Sequence, residues 1–196
     1  MKSACTYLIT LTLVLGSYAT EAQVCNKANI AESVSQSIFD TETEGSNVVV
    51  DIRNKLLWLR CPIGFNSLGS ICTNKKYVEG STSELQRKKF TWQEALNIAD
   101  QYEQNTSSGL KSDWRLPNIR ELMSIIDTSC ISPAFNSAVF PLIPSSTKSG
   151  LWSSSPQLVN PTSDRQKAWL IQTAYGDIIH DYITEKHFVL LVHSLP

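Results

Sequence analysis

The stretch DWRLPNIREL, residues 113–122, contains the clearest structural signal in the chain. Asn118 has a side-chain oxygen that can accept a hydrogen bond from a first helical turn, and Glu121 lies three residues later. This spacing is a capping box, in which the two side chains satisfy backbone N–H groups at a helix start. Pro117 holds the chain extended just before the cap. The stretch therefore predicts a helix that begins after Asn118.

The residues before that helix could belong to a ligand-binding site or could anchor the helix to the rest of the fold. A tryptophan and a leucine are side chains that proteins usually bury, and an arginine between them can pair with a local carboxylate or loop carbonyl. We interpret the whole segment as a structural motif. It comprises Trp114, Arg115, Leu116, Pro117, Asn118 and Glu121.

A second helix is predicted by FTWQEALNIADQYE, residues 90–103, which begins with another capping box formed by Thr91 and Glu94. Its apolar residues recur at the spacing of one helical face. They are Trp92, Ala95, Leu96, Ala99 and Tyr102. Because each of the two short helices has a single apolar face, both must pack against another layer.

Strand patterns lie on both sides of the helices. VVVD (48–51) and LLWL (56–59) flank an Arg-Asn-Lys turn and predict a hairpin. LWSSS (151–155) is a short strand candidate. KAWLIQTAYGDII (167–179) alternates like a second hairpin, with its turn at Tyr175-Gly176.

The last pattern, HFVLLVHS at residues 187–194, is apolar enough to predict a strand in the middle of a sheet. Strands, two helices and further strands therefore follow one another along the chain. This order predicts an α+β fold in which two short helices pack on a mainly antiparallel sheet.

The composition limits the compartment and the partners. The 196 residues include 17 basic and 18 acidic ones, and this balance lacks the basic footprint of a nucleic-acid-binding protein. Residues 7–15 form an apolar run that is too short to span a bilayer. We interpret residues 1–22 as a signal peptide, 23–46 as an extended N-terminal segment and 47–196 as one domain. A mature chain that is secreted or periplasmic, with no membrane span, is therefore expected.

The cysteines fit that expectation. Four remain after the signal peptide, and an even number in an exported chain favours two disulfides, for which three pairings are possible. Cys61 and Cys72 bracket a Gly/Pro/Asn/Ser loop that folds back easily, so we pair them, which leaves Cys25 with Cys130. A zinc site is disfavoured because the spacings contain no CxxC pair.

The ordered motifs of residues 47–193 resemble the Lcl C-terminal domain family, a group of exported bacterial domains long catalogued as having unknown function. The resemblance is carried by a series of segments rather than by a single motif. They are VVVDIRNKLLWLRC, CPIGFNSLGSIC, TWQEAL, DWRLPNIREL, SCISPAFNSAVFP, LWSSSP, AWLIQTAYG and FVLLVH. The resemblance implies a C-type-lectin-like fold and, more distantly, the fold of formylglycine-generating enzymes.

Two functions are implied by that resemblance, and both are binding functions. One is recognition of a glycan or protein at a cell surface or in the periplasm, and the other is a protein-interaction subunit of an envelope or pilus assembly. The last strand of the family usually carries two arginines, whereas Leu190 and His193 stand at those positions here. Strong binding to polyanions is therefore not expected.

The chemistry of calcium-dependent lectins and of enzymes is not supported by the motifs. The calcium-binding motifs Glu-Pro-Asn and Trp-Asn-Asp are absent, and no cysteine follows Cys130, although the formylglycine-generating relatives use a C-terminal pair. Ser153–Ser155 lack the GxSxG context of a nucleophile, and the three histidines 180, 187 and 193 lack an HExxH pattern. We expect no catalytic residue, no metal and no cofactor, with a remote enzyme as the weakest alternative.

The loops at one end of the predicted sheet are where a lectin-like fold would bind its ligand. Three of the residues there have an apolar body with a polar tip, and a fourth, Trp152, stands just before one of these loops. The candidate ligand-binding residues are Trp152, Tyr175, His180 and Tyr182.

Overall fold

The computed structural model describes residues 23–42, 47–68, 71–73, 89–102, 113–141, 146–158 and 166–196, so the predicted signal peptide lies outside the described residues. Within these ranges the chain forms short strands, two α-helices and one 3-10 turn at Gln36–Ile38. The helices are α1 (Trp92–Gln101) and α2 (Ile119–Met123). The strands are β1 (Val24–Cys25), β2 (Phe39–Asp40), β3 (Val48–Asp51), β4 (Leu56–Leu59), β5 (Asn66–Leu68), β6 (Ile71–Thr73), β7 (Cys130–Ile131), β8 (Gly150–Gln157), β9 (Lys167–Gln172), β10 (Ile178–Tyr182) and β11 (Val192–Ser194).

Two antiparallel sheets make up the body of the fold. One contains four strands in the order β11-β4-β3-β2, and the other contains three in the order β10-β9-β8. The strand pairs β1–β7 and β5–β6 are smaller antiparallel sheets. The predicted α+β class with two helices and mainly antiparallel strands is confirmed, and this arrangement is compatible with a C-type-lectin-like fold.

The first predicted hairpin forms with the predicted bounds. Val48 lies opposite Leu59 and Asp51 opposite Leu56, and both strands are largely buried. The turn is held by the Asp51 carboxylate, which accepts hydrogen bonds from the backbone N–H and the side-chain amide of Asn54 at 3.0 and 2.6 Å. Lys55 completes the turn in the left-handed region at φ 54°.

The predicted central strand at residues 187–194 was wrong in its extent. Only Val192–Ser194 form β11, which lies at the end of the four-stranded order, while the preceding apolar residues run between the two sheets. The backbone of Phe188 bonds to Trp152 of β8 at 3.0 Å, and Leu191 accepts a bond from Leu59 of β4 at 3.0 Å. The segment is fully buried because it joins both sheets rather than lying inside one.

Both predicted helix starts are confirmed. Thr91 with Glu94, and Asn118 with Glu121, each form a reciprocal capping box. The predicted apolar face of α1 points inward, with Ala95 fully buried. The α2 helix is only five residues long, because the chain after Met123 continues in tight turns.

The segment before α2 anchors it to the last strand. Trp114 and Leu116 are buried in the core. The backbone of Arg115 exchanges two hydrogen bonds with Val192 at 2.9 and 3.0 Å. Its guanidinium makes a two-pronged ion pair with Glu121 at 2.7 and 2.8 Å, so the side chain of the helix cap is bound to the segment that precedes it. These contacts support the structural interpretation of the motif.

Both predicted disulfides form. Cys61 and Cys72 close the short loop, with 5.7 Å between their Cα atoms. Cys25 and Cys130 are opposite each other in the β1–β7 pair, 4.0 Å apart between Cα atoms, so the bond ties the N-terminal segment to the body of the fold. No helix in the described ranges is long and apolar enough to cross a membrane.

Candidate functional site

A partly exposed set of four side chains, three of them aromatic, lies on the β9–β10 hairpin. The strand register places His180 directly opposite Trp169 and Tyr182 directly opposite Lys167. Opposite residues project from the same side of an antiparallel pair, and residues two apart along a strand do so as well. All four side chains therefore share one side of the hairpin. We call Lys167, Trp169, His180 and Tyr182 the aromatic strip.

The ring contacts confirm that these neighbours touch. The imidazole of His180 meets the indole of Trp169 edge to face, with 5.4 Å between centroids. The ammonium of Lys167 lies 4.8 Å from the centroid of the Tyr182 ring. Such pairs hold aromatic side chains in place by about 0.5–1.5 kcal/mol each. These contacts favour the arrangement in which the four side chains lie against one another.

The strip is open to solvent to different degrees along its length. His180 is exposed, whereas Lys167, Trp169 and Tyr182 are half-buried. Each of these side chains offers an apolar surface and a polar tip, which suits contacts to a sugar ring or to a peptide. The arrangement can supply stacking surface and hydrogen bonds to a ligand.

The sequence-based candidates are separated by the structure. His180 and Tyr182 lie together in the strip, and Tyr175 lies beyond it, 51% exposed in the loop between β9 and β10. The prediction that Trp152 binds a ligand is wrong, because its side chain is fully buried. Its indole N–H donates to the backbone carbonyl of Phe90 at 2.9 Å. Trp152 is therefore a core residue and presents no surface to a ligand.

Lys167 and Trp169 were missed as candidates. Their alternation in KAWLIQ was visible, but their neighbours depend on the register of the hairpin. A turn at Tyr175-Gly176 would pair His180 with Ile171. The loop instead occupies residues 173–177, which shifts the pairing so that His180 meets Trp169.

On the other side of β10 lies a polar cavity of about 310 Å³. It contains a histidine–carboxylate pair, in which His187 Nε2 lies 3.0 Å from a carboxylate oxygen of Asp181. Burial lowers the pKa of His187, although Asp181 acts in the opposite direction. The cavity is lined by Thr147, Lys148, Ser149, Leu170, Ile179, Asp181, Glu185, Lys186 and His187.

This histidine–carboxylate pair resembles part of a hydrolase triad. The partner of the second ring nitrogen of His187 therefore indicates whether the pair could activate a nucleophile. In a triad that nitrogen would bond to a nucleophile. Here Nδ1 of His187 is buried and has no hydrogen-bond partner within the described residues. It faces Gly150, where an added Cβ would lie only 3.1 Å from it. Within the described residues, no nucleophile is therefore hydrogen-bonded to the free nitrogen of the pair.

The serines of β8 have structural partners. The Ser153 hydroxyl donates to the Trp169 carbonyl at 2.6 Å, and the Ser155 hydroxyl accepts from the backbone N–H of Ile119 at 3.1 Å. They lie at the irregularity between Trp152 and Pro156 where the register of β8 shifts. Within the described residues, no group of three or more His, Cys, Asp or Glu side chains could hold a metal ion.

The family model of the Lcl C-terminal domain matches residues 47–193. The chain belongs to this family. The match begins immediately before β3 and ends in β11, so the Lcl C-terminal domain includes the whole three-stranded sheet, all strands of the four-stranded sheet except β2, both helices and the aromatic strip. Strands β1 and β2 precede it and are joined to it by pairing and by the Cys25–Cys130 bond. A comparison with curated proteins gives no match to the chain.

Proposed function

We propose that this protein is an exported binding module, and that the aromatic strip recognises a glycan at a cell surface or in the periplasm. The observation that carries the proposal is the pairing of Trp169 with His180 and of Lys167 with Tyr182 on one open side of the hairpin. Aromatic faces with nearby polar groups bind the apolar faces and hydroxyls of a sugar ring.

Export is supported by the covalent structure. Disulfides persist in oxidising compartments and are rare in the cytosol. Two of them, Cys25–Cys130 and Cys61–Cys72, form within the described chain. The apolar run of residues 7–15 has the length of the hydrophobic region of a signal peptide. We therefore assign the mature protein to the periplasm or to the exterior of the cell.

A binding role is favoured over catalysis by how the reactive side chains are used. Ser153 and Ser155 are engaged in backbone contacts, and the free nitrogen of His187 faces Gly150 instead of a nucleophile. The aromatic strip, in contrast, has half-buried and exposed side chains that contact one another on one side of the hairpin.

The test is a glycan array probed with the purified mature chain, followed by calorimetry on the glycans retained. Trp169→Ala and Tyr182→Ala are expected to weaken binding about tenfold or more, because each removes a stacking surface. Ile52→Ala is the control, since Ile52 is an apolar residue that is 59% exposed to solvent and belongs to the β3–β4 turn, outside the strip. Equal binding by all three variants, each shown to be folded by near-UV circular dichroism, would contradict the proposal.

A further inference from the structure

A side-chain contact on the polar-cavity side of β10 links this strand to the core. Asp181 stands between His180 and Tyr182 along the strand, so its side chain points away from the aromatic strip. Its carboxylate lies 3.0 Å from Nε2 of His187. The backbone of His187 exchanges hydrogen bonds with Phe90 at 2.8 and 3.0 Å, at the start of the segment that runs between the two sheets. The pair therefore joins the strand that carries half of the strip to the buried part of the molecule.

Strand β10 depends on such a link more than an inner strand would. Within the described residues it pairs with β9 alone, at one end of its sheet. Its five residues are exposed or half-buried, and Ile178 and Ile179 are 43% and 38% exposed. Elements with little buried surface open locally at a low cost in free energy. A side-chain bond that holds β10 to the core therefore adds to the stability of the hairpin.

The surroundings of His187 suit a neutral imidazole better than a charged one. The side chain is 10% exposed, and its ring lies edge to face against the buried indole of Trp152, with 4.7 Å between centroids. When Nε2–H donates to Asp181, protonation adds a second N–H at Nδ1. That atom is buried, has no partner within the described residues and faces Gly150. A charged ring would therefore hold an unpaired buried donor, which costs free energy until the side chain reaches water.

Charged groups from each neighbouring element surround the ring or border its cavity. They are Asp181, Glu185, Lys186, Lys89 and Lys148. The two carboxylates favour the charged imidazole and Lys89 opposes it, but burial has the largest effect, so the pKa of His187 lies below its usual 6.5. The bond to the neutral ring is therefore fully stabilising above pH 6.5. It weakens as the pH falls from there through the lower folded pKa.

We propose that His187 and Asp181 form a pH-sensitive latch, which holds β10 against the core at neutral pH and releases it in acid. When His187 takes up a proton from solvent at Nδ1, its ring turns towards water and the bond to Asp181 breaks. Because His180 and Tyr182 flank Asp181 in the strand, opening of the latch also loosens half of the strip. Release of a bound glycan in acid rests on the proposed function, whereas the latch itself is a property of the hairpin.

The test is amide hydrogen exchange, measured by NMR at pH 7 and pH 5 and expressed as protection factors to remove the intrinsic effect of pH on exchange. The reporters are the amides of Ile179 and Asp181, which point to β9 because the bond from Ile183 N–H to Gln166 O fixes the alternation. A histidine of ordinary pKa that is protonated only in the open state lowers protection by at most about 25-fold over this range. We expect a fall of about threefold or more at both amides.

The fall should be local to the hairpin. At pH 5 the amides of Ile179 and Asp181 should remain less protected than those of Val49 and Trp58, which pair with each other in the β3–β4 hairpin. Equal protection factors at all four amides would mean that acid unfolds the whole chain instead of releasing β10, and would overturn the proposal.

Two histidine variants identify the group that senses pH. His187→Gln removes the ionisable ring and keeps a hydrogen-bond donor for Asp181, so protection at the reporter amides should change by less than about twofold between pH 7 and pH 5. His180→Gln is the matched control, because it removes the histidine on the opposite side of the same strand. It should retain the pH dependence of the parent. A pH dependence that survives in His187→Gln, or that disappears in His180→Gln, would contradict the latch.

Asp181→Asn keeps the proposal testable if His187→Gln does not fold. Asparagine accepts the same bond from Nε2–H but lacks the charge that favours the protonated ring. The loss of protection between pH 7 and pH 5 should therefore be at least as large as in the parent. A pH dependence abolished by Asp181→Asn would identify the carboxyl as the titrating group and overturn the assignment to His187.

The imidazole itself gives an independent readout. An NMR titration of the His187 ring should have its midpoint below 6.5, and a midpoint above that value would refute the latch. None of these measurements includes a ligand. An array that retains no glycan would therefore contradict the proposed function of the strip without changing the result for the latch.

Discussion

Replacing Glu121 by glutamine tests the structural interpretation of DWRLPNIREL. One oxygen of the Glu121 carboxylate accepts from the Asn118 backbone N–H at 2.8 Å, and both oxygens accept from Arg115. Glutamine also serves in a capping box, so the variant keeps the cap and loses the ion pair. Hydrogen bonds to charged groups contribute about 1.5–3 kcal/mol each in protected sites.

Solvent reduces that contribution here, because the Arg115 side chain is 41% exposed although that of Glu121 is only 17% exposed. We expect Glu121→Gln to lower the free energy of unfolding by about 2 kcal/mol, or the Tm by about 4–8 °C for a chain of this size. Urea unfolding at pH 7, followed by tryptophan fluorescence, measures the loss.

The matched control is Glu94→Gln. Glu94 makes the same capping contacts with Thr91, but no basic side chain within the described residues forms a salt bridge with it. Its replacement should cost clearly less stability than that of Glu121. Equal losses in the two variants would refute the importance of the Arg115 pair and leave only the helix caps.

The pH dependence gives a second check on the same pair. Burial raises the pKa of Glu121, but hydrogen bonds from Arg115 and the Asn118 N–H, together with the Arg115 charge, bring it below its usual 4.5. A carboxyl whose pKa is lower in the folded state stabilises the fold above its unfolded pKa. That contribution is lost as the pH falls through the folded value. The difference between parent and variant should therefore shrink below pH 4.5, and a constant difference would contradict the mechanism.

Three further perturbations test the core and the covalent links. Burial lowers the pKa of His187 below 6.5, so the neutral imidazole stabilises the fold above that pH. This contribution is lost as the pH falls through the lower folded pKa. The urea midpoint of His187→Gln should therefore fall less between pH 7 and pH 5 than that of the parent. Gly150→Ala should cost about 1–3 kcal/mol in the same assay, because its Cβ would overlap the Leu170 side chain, and an unchanged midpoint would show that Leu170 moves freely. Replacing Cys61 and Cys72 by alanine should cost about 3 kcal/mol, the loop entropy of a separation of 11 residues, measured against the parent under non-reducing conditions.

The position of Trp152 shows why sequence alone misplaced a candidate. LWSSS places a tryptophan before polar residues, a pattern that suits both a surface loop and a strand entering the core. Whether the indole is buried depends on Phe90 and His187. The backbone carbonyl of Phe90 accepts a hydrogen bond from the indole N–H, and the His187 ring contacts the indole with 4.7 Å between centroids. Those residues are distant in sequence, so no local pattern reveals that cover.

The aromatic strip shows the same limit in another form. Alternation along KAWLIQ indicated a strand, but the partner of each residue depends on the loop between β9 and β10. That loop is longer than a two-residue turn because its backbone is held by Ser132 and Ala134, which donate to Ala174 and Thr173 at 2.7 and 3.1 Å. A contact across about 40 residues thus decides which side chain meets His180.

The sequence by itself determined the features whose causes are local. Both capping boxes depend on hydrogen bonds three residues apart, the first hairpin on a turn between two apolar strands, and the disulfide of Cys61 with Cys72 on a short loop. The tertiary structure alone decided the register of β9 with β10, the burial of Trp152 and the passage of residues 187–191 between the sheets. These features depend on which layers cover each other, because burial and pairing are set by partners from distant parts of the chain.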